Sequence, residues 1–195
     1  MEPWFRPLVW MDYRLAVLFT VIIPLILLIW AFAQGSEAIQ HLTIIYWRVA
    51  SLLAITVYLM IGGYGIGFFC GLVAKILILV SLWFWVDIND EIEYQSNTPL
   101  KFTFICWRWA VSFYCVLSAI ASLPFLSCVI GSTGTTDFCQ VWSQAPLLFK
   151  QYFHSGSANS TLANTGLFGL AIYVLYFSYF VLVKLGKKGR SALQQ

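Results

Sequence analysis

The chain has 195 residues, of which 61% are hydrophobic and only 10% charged. A soluble domain carries roughly 25% charge, and a globule of this size cannot hide so much apolar surface behind a polar skin. Composition therefore excludes a soluble fold and makes lipid the solvent for most of the chain. The net charge of +3 comes without any basic run interleaved with aromatics, which argues against a nucleic-acid partner.

In chain order, residues 1–14 read as an interfacial lead-in. Trp4, Phe5, Trp10 and Tyr13 suit a headgroup layer, and Asp12 is placed to cap the first helix. Span 1, at 15–33, is uncharged and reaches roughly 28 Å at 1.5 Å per residue, the thickness of a hydrocarbon core. Pro24 in its middle predicts a kink. Ala31-Phe-Ala33 looks like a signal-peptidase site, but the apolar run exceeds the roughly 7–15 residues of a signal peptide and further spans follow, so span 1 is read as retained. A polar turn at 34–41 leads to span 2 at 42–61, which carries Arg48 one to two turns inside it. Gly62-Gly-Tyr-Gly-Ile-Gly67 makes a tight turn. It is no phosphate loop, because no strand precedes it and no Lys-Ser/Thr follows. Gly63, Gly67 and Gly71, four apart, are read as a face for close helix packing.

Span 3, at 66–86, holds Lys75 near its middle, the most expensive charge in the chain. A polar loop at 87–101 precedes span 4 at 102–123, with Arg108 inside and Pro124 at its far end. The longest loop, 128–165, includes 145–154, whose Leu147, Leu148, Tyr152 and Phe153 beside Lys150 and Gln151 suit a helix lying in the interface. Span 5, at 166–185, is followed by a basic tail at 186–195. The fold class is an all-α integral membrane protein: a bundle of about five transmembrane helices with a short interfacial helix in the fourth loop.

Five crossings put 34–41, 87–101 and the tail on one side. Lys101, Lys184, Lys187, Lys188 and Arg190 on that side outnumber Arg6, Arg14 and Lys150 on the other, which makes the C-terminal side cytoplasmic. The long loop then lies outside. There Cys128 and Cys139, ten residues between them, either form a disulfide in an oxidising compartment or remain two thiols. A bridge would add at most about 3 kcal/mol. Asn159-Ser-Thr161 fits a glycosylation sequon, which has no meaning in a bacterium. Cys70, Cys106 and Cys115 lie within spans as packing residues. No CxxC and no Cys/His pair at ligand spacing occurs, so no metal and no cofactor is expected.

The charged residues make the sharpest constellation. If the helix of span 3 runs on, Asp87, Asp90 and Glu91 share one face at i, i+3 and i+4. Arg48 and Arg108 enter the bilayer from the same side, each roughly 9 Å below its surface. The structural expectation is that both arginines pair with Asp87 and its neighbours and pin spans 2, 3 and 4 together. The same residues also admit a ligand or partner site, or a conduction path with Lys75 as its next station. Against conduction, Ile45-Tyr-Trp-Arg-Val-Ala50 and Ile105-Cys-Trp-Arg-Trp-Ala110 share four of six positions but the match extends no further, unlike the paired repeats of transporters. His41 and His154 fall on opposite sides and form no catalytic dyad. Each is read as an ordinary polar residue rather than an axial ligand to a haem or chlorophyll. The nine Trp, ten Tyr and sixteen Phe are read as belts and lipid-facing bulk before a pigment or quinone site.

Several stretches carry a resemblance: Trp4-Phe-Arg-Pro-Leu-Val-Trp10, Asp12-Tyr-Arg-Leu-Ala-Val17, Tyr46-Trp-Arg-Val-Ala-Ser51, Ser81-Leu-Trp-Phe-Trp-Val-Asp87, Trp107-Arg-Trp-Ala110 and Lys184-Leu-Gly-Lys-Lys-Gly-Arg190. Together they resemble a family of uncharacterised polytopic membrane proteins of cyanobacteria. The resemblance implies a photosynthetic bacterial host and a plasma or thylakoid membrane. It brings no established activity and no catalytic residues. Two functions remain in play beside the weaker idea of pigment or quinone binding. One is a non-enzymatic accessory or assembly factor, docking membrane-protein complexes within the lipid bilayer. The other is a small transporter or channel using Arg48, Arg108 and Lys75.

Overall fold

The computed structural model describes residues 4–129 and 137–185, and regular structure among them is helical throughout. Helix α1 runs Arg6–Gln34, α2 Glu37–Ile61, α3 Ile66–Trp83 and α4 Val86–Tyr94. Helix α5, Pro99–Ser122, continues as a tighter 3-10 stretch to Val129; α6 is Asp137–Phe153; α7, Asn159–Tyr179, continues in wider turns to Leu185. Five of these, α1, α2, α3, α5 and α7, are long and apolar enough to cross a membrane. The architecture is a multi-pass all-α bundle with two further helices, α4 in the third connection and α6 in the fourth.

Helix α1 starts earlier than the apolar run suggests. Phe5 occupies the N-cap position and Pro7 lies in the first turn, where a missing N–H costs nothing. From Arg6 onward the expected lead-in is therefore the opening of span 1, and the 29-residue helix is about 43 Å long. Asp12 is no cap. It sits in the helix interior with Val9 buried beside it.

Pro24 leaves its mark just upstream, where Val17–Ile22 winds in wide turns. Proline has no N–H for the carbonyl of residue 20, and in the wide-turn register none for that of residue 19. Both freed carbonyls are taken by neighbours. Tyr46 Oη of α2 donates to Thr20 O at 2.8 Å, and Trp107 Nε1 of α5 donates to Phe19 O at 2.8 Å. The two donor rings meet edge to face, their centroids 5.2 Å apart. A proline that would cost an isolated helix two bonds thus becomes the socket that holds α1 against α2 and α5.

Helix α3 ends at Trp83, three residues short of the expected boundary. Trp85 is extended (φ −84°, ψ 99°), and α4 starts at Val86. Ile88 and Ile92, one turn apart, are fully buried and join Trp85, Leu82, Leu42, Phe104 and Val111 in the main core. Asp90, Glu91 and Glu93 are left exposed. Alternation of this kind lays α4 across the end of the bundle as an amphipathic cover. Its last carbonyls are capped by a distant residue: Lys101 Nζ donates to Glu93 O at 2.7 Å and Gln95 O at 2.8 Å. Thr98 Oγ1 in turn accepts from Lys101 N at 3.2 Å and caps α5.

In the turn between α2 and α3, Gly63 has φ +74°, a left-handed conformation open to glycine. It serves the turn. Gly67 is the residue that brings α3 onto α2, since a Cβ there would lie 3.0 Å from Met60 Cγ. Helix α7 packs chiefly on α2, through Leu162, Ala163, Gly166 and Tyr173, and exposes most of its remaining surface.

Candidate functional site: charges inside the bundle

Lys75 is 7% exposed, and its partner is Asp12 of α1. The ammonium lies 3.9 Å from Asp12 Oδ2 and donates to Ser122 Oγ at 2.8 Å and Ser118 O at 3.3 Å. Asp12 Oδ1 accepts from Tyr114 Oη at 3.0 Å and from Ser118 Oγ. The Trp142 ring of α6 lies against the ammonium, 5.8 Å from Nζ to the centroid. Each charge is therefore solvated by hydroxyls as well as by its opposite. A buried pair needs this to offset its desolvation, and the cluster ties α1, α3, α5 and α6 together. The Lys75–Ser122 contact is not a nucleophile–base pair. Lysine is the donor, and Ser122 directs its own hydroxyl to Ser118 O at 2.6 Å.

Around this cluster α6 is held to the front half of α1. Arg6 Nε and Trp10 Nε1 both donate to Gln144 Oε1, at 3.0 and 3.2 Å, and Tyr13 Oη donates to Trp142 O at 2.7 Å. Cys128 and Cys139 are joined by a disulfide, Cα atoms 6.0 Å apart, linking the end of α5's 3-10 extension to the start of α6. His154 follows α6 and faces Tyr58 Oη at 3.4 Å from Nε2. His41, on α2, is exposed. Among the described residues, no group of three His, Cys, Asp or Glu is placed to hold a metal.

The arginines separate. Arg108 turns inward onto α4: Nη1 donates to Asn89 Oδ1 at 2.6 Å, and the guanidinium carbon lies 4.3 Å over the Trp83 ring. Trp83 Nε1 donates to Ser112 Oγ, which closes a link among α3, α4 and α5. Arg48 does not join it. Its Nη1 points to Tyr176 Oη of α7 at 3.5 Å, and the residue is exposed. The expected pin of spans 2, 3 and 4 by both arginines is thus corrected for Arg48, and the described bond of Arg108 goes to an amide. Helix geometry gives the reason. On α2, Arg48 lies in a stripe with Ile44, Ser51 and Ile55, none of them buried, whereas on α5 Arg108 lies between Phe104 and Ser112, one turn away on either side and both buried. On α4, Asp87 is half-buried while Asp90 and Glu91 are exposed.

Asp12 is the residue that sequence reasoning missed. A signal for it existed. Of the eight carboxylates, Glu37, Asp87, Asp90, Glu91 and Glu93 belong to the opposite end of the bundle, which leaves few counter-ions for Lys75.

Five apolar helices with charges neutralised in the interior define a multi-pass helical membrane protein. A family model described as a protein of unknown function (DUF3177) matches residues 6–193, and the chain belongs to this family. No curated protein matches the chain, and no solved structure does.

Proposed function

We propose that the protein is a non-enzymatic accessory or assembly factor for membrane complexes. It would sit in a cyanobacterial plasma or thylakoid membrane with α4 and the C-terminal segment in the cytoplasm. The observation that carries this reading is the dispersal of the three intramembrane cations. Lys75 is spent on Asp12 toward one end of the bundle, Arg108 on α4 at the other, and Arg48 looks out past α7. Cations that serve a transport route would line one path. Lys75 and Arg108 hold helices instead, and α4 carries an exposed row of Asp90, Glu91, Glu93 and Tyr94. An acidic row of this kind suits a partner with a basic cytoplasmic face. Lys101 and the four basic residues beyond 183 outnumber Arg6, Arg14 and Lys150 assigned to the other side, which supports the orientation. The host follows the resemblance in stretches such as Ser81-Leu-Trp-Phe-Trp-Val-Asp87.

The test is co-purification from native membranes in a mild detergent. A defined complex should accompany the wild-type chain and be lost from the triple variant Asp90→Lys, Glu91→Lys, Glu93→Lys, which should still insert. A chain that purifies alone and carries ions across liposomes, with flux abolished by Lys75→Met, would replace this reading with the transporter reading.

A further inference from the structure

Among the described residues, Arg48 is an exposed cation of span 2 that enters no ion pair. It lies six residues inside span 2, roughly 9 Å below the water boundary, yet it is exposed on the outer face of α2. Its described hydrogen bond, to Tyr176 Oη at 3.5 Å, is long and leaves the charge unneutralised. Beneath it runs a groove of about 260 Å³ between α2 and α7, lined by Arg48, Ser51, Ile55, Gly169, Ile172 and Tyr176. Arg48 and Ile55 lie seven residues apart on α2, and Gly169 and Tyr176 seven apart on α7. The two antiparallel stripes therefore run together for roughly 10 Å along the membrane normal. None of the described residues lining the groove is acidic. The bare Gly169 backbone opens its deep end, where an added Cβ would meet Ile55 only at van der Waals distance, 3.5 Å.

A guanidinium at this depth on a lipid-facing surface needs an anion. The plentiful source is the phosphate of a lipid headgroup, reached by snorkelling upward or by drawing the headgroup down. An apolar channel leading from that phosphate toward the midplane has the form of an acyl-chain bed. We propose that the groove between α2 and α7 holds one anionic phospholipid. The phosphate is gripped by Arg48 and accepts a hydrogen bond from Tyr176, and an acyl chain lies over Gly169 and Ile172. This site does not depend on the accessory-factor reading and stands or falls separately from it.

Native mass spectrometry of the full chain tests it, after reconstitution with equal amounts of phosphatidylglycerol and phosphatidylcholine and gentle re-extraction. One phosphatidylglycerol should be retained over phosphatidylcholine by on the order of five-fold, the preference one arginine supplies near a membrane surface. Arg48→Gln should bring that ratio to about one without loss of folded protein, because its side chain faces outward. Gly169→Phe, which fills the deep end and leaves the guanidinium in place, should lower retention of both lipids. The proposal is overturned if the wild type holds the two lipids equally or if Arg48→Gln keeps the preference. It is also overturned if the face carries a second copy of the chain, or inorganic phosphate without lipid.

Discussion

The two Trp-Arg segments carry the same dipeptide to opposite ends of usefulness. In α5, Trp107 is buried and bonded to the backbone of α1, and Arg108 turns in to grip α4. In α2 it is Tyr46, one residue earlier, that is buried and bonded to α1. Trp47 is then only half-buried, its indole N–H finds no acceptor among the described residues, and Arg48 swings outward. A shift of one residue in which ring enters the socket rotates the arginine by about 100°. The helix that keeps its cation inside gains a link. The helix that turns it out acquires a charge only the surroundings can satisfy.

Breaking each feature in turn should rank their costs. Charges sealed in the interior come first. Lys75→Met alone or Asp12→Asn alone strands a partner and should lower unfolding free energy by about 3–5 kcal/mol in a denaturant titration of the detergent-solubilised protein. Arg108→Ala comes next, at about 2–3 kcal/mol, because a charged hydrogen bond and a cation–ring contact vanish together. Arg108→Lys should recover only part of this, since an ammonium has no fork to lie flat on Trp83. Trp107→Phe keeps the ring but orphans the Phe19 carbonyl, for about 1–3 kcal/mol, with Tyr46→Phe similar at Thr20. Arg48→Gln should cost least, within about 0.5 kcal/mol. A large loss for Arg48→Gln, or none for Arg108→Ala, would erase the contrast between the segments.

Most of the architecture was readable in the chain. Five long apolar runs correspond to five helices long and apolar enough to cross a membrane, and the mixed face of 145–154 marks the second half of α6, which starts earlier, at Asp137. Three things were hidden for physical reasons. Asp12 stands at the edge of an apolar run, where a carboxylate reads as a boundary mark. Only the third dimension brings Lys75 and the hydroxyls of α5 to it and lets the helix run past it. The break at Phe84 and Trp85 has neither glycine nor proline to signal it. It follows from tertiary packing that buries Trp85, Ile88 and Ile92 together. The facing of the arginines was also beyond sequence spacing, because depth along a helix was legible but rotation about it depended on which aromatic filled the socket left by Pro24.

The claim on which the rest turns is that intramembrane charge here fastens helices. A double-mutant cycle on Lys75 and Asp12 measures it directly, with unfolding free energies for Lys75→Met, Asp12→Leu and the pair. The account predicts strong coupling, with the double variant losing less than either single change because no charge is left stranded. Additive losses, or single variants as stable as the wild type, would contradict it.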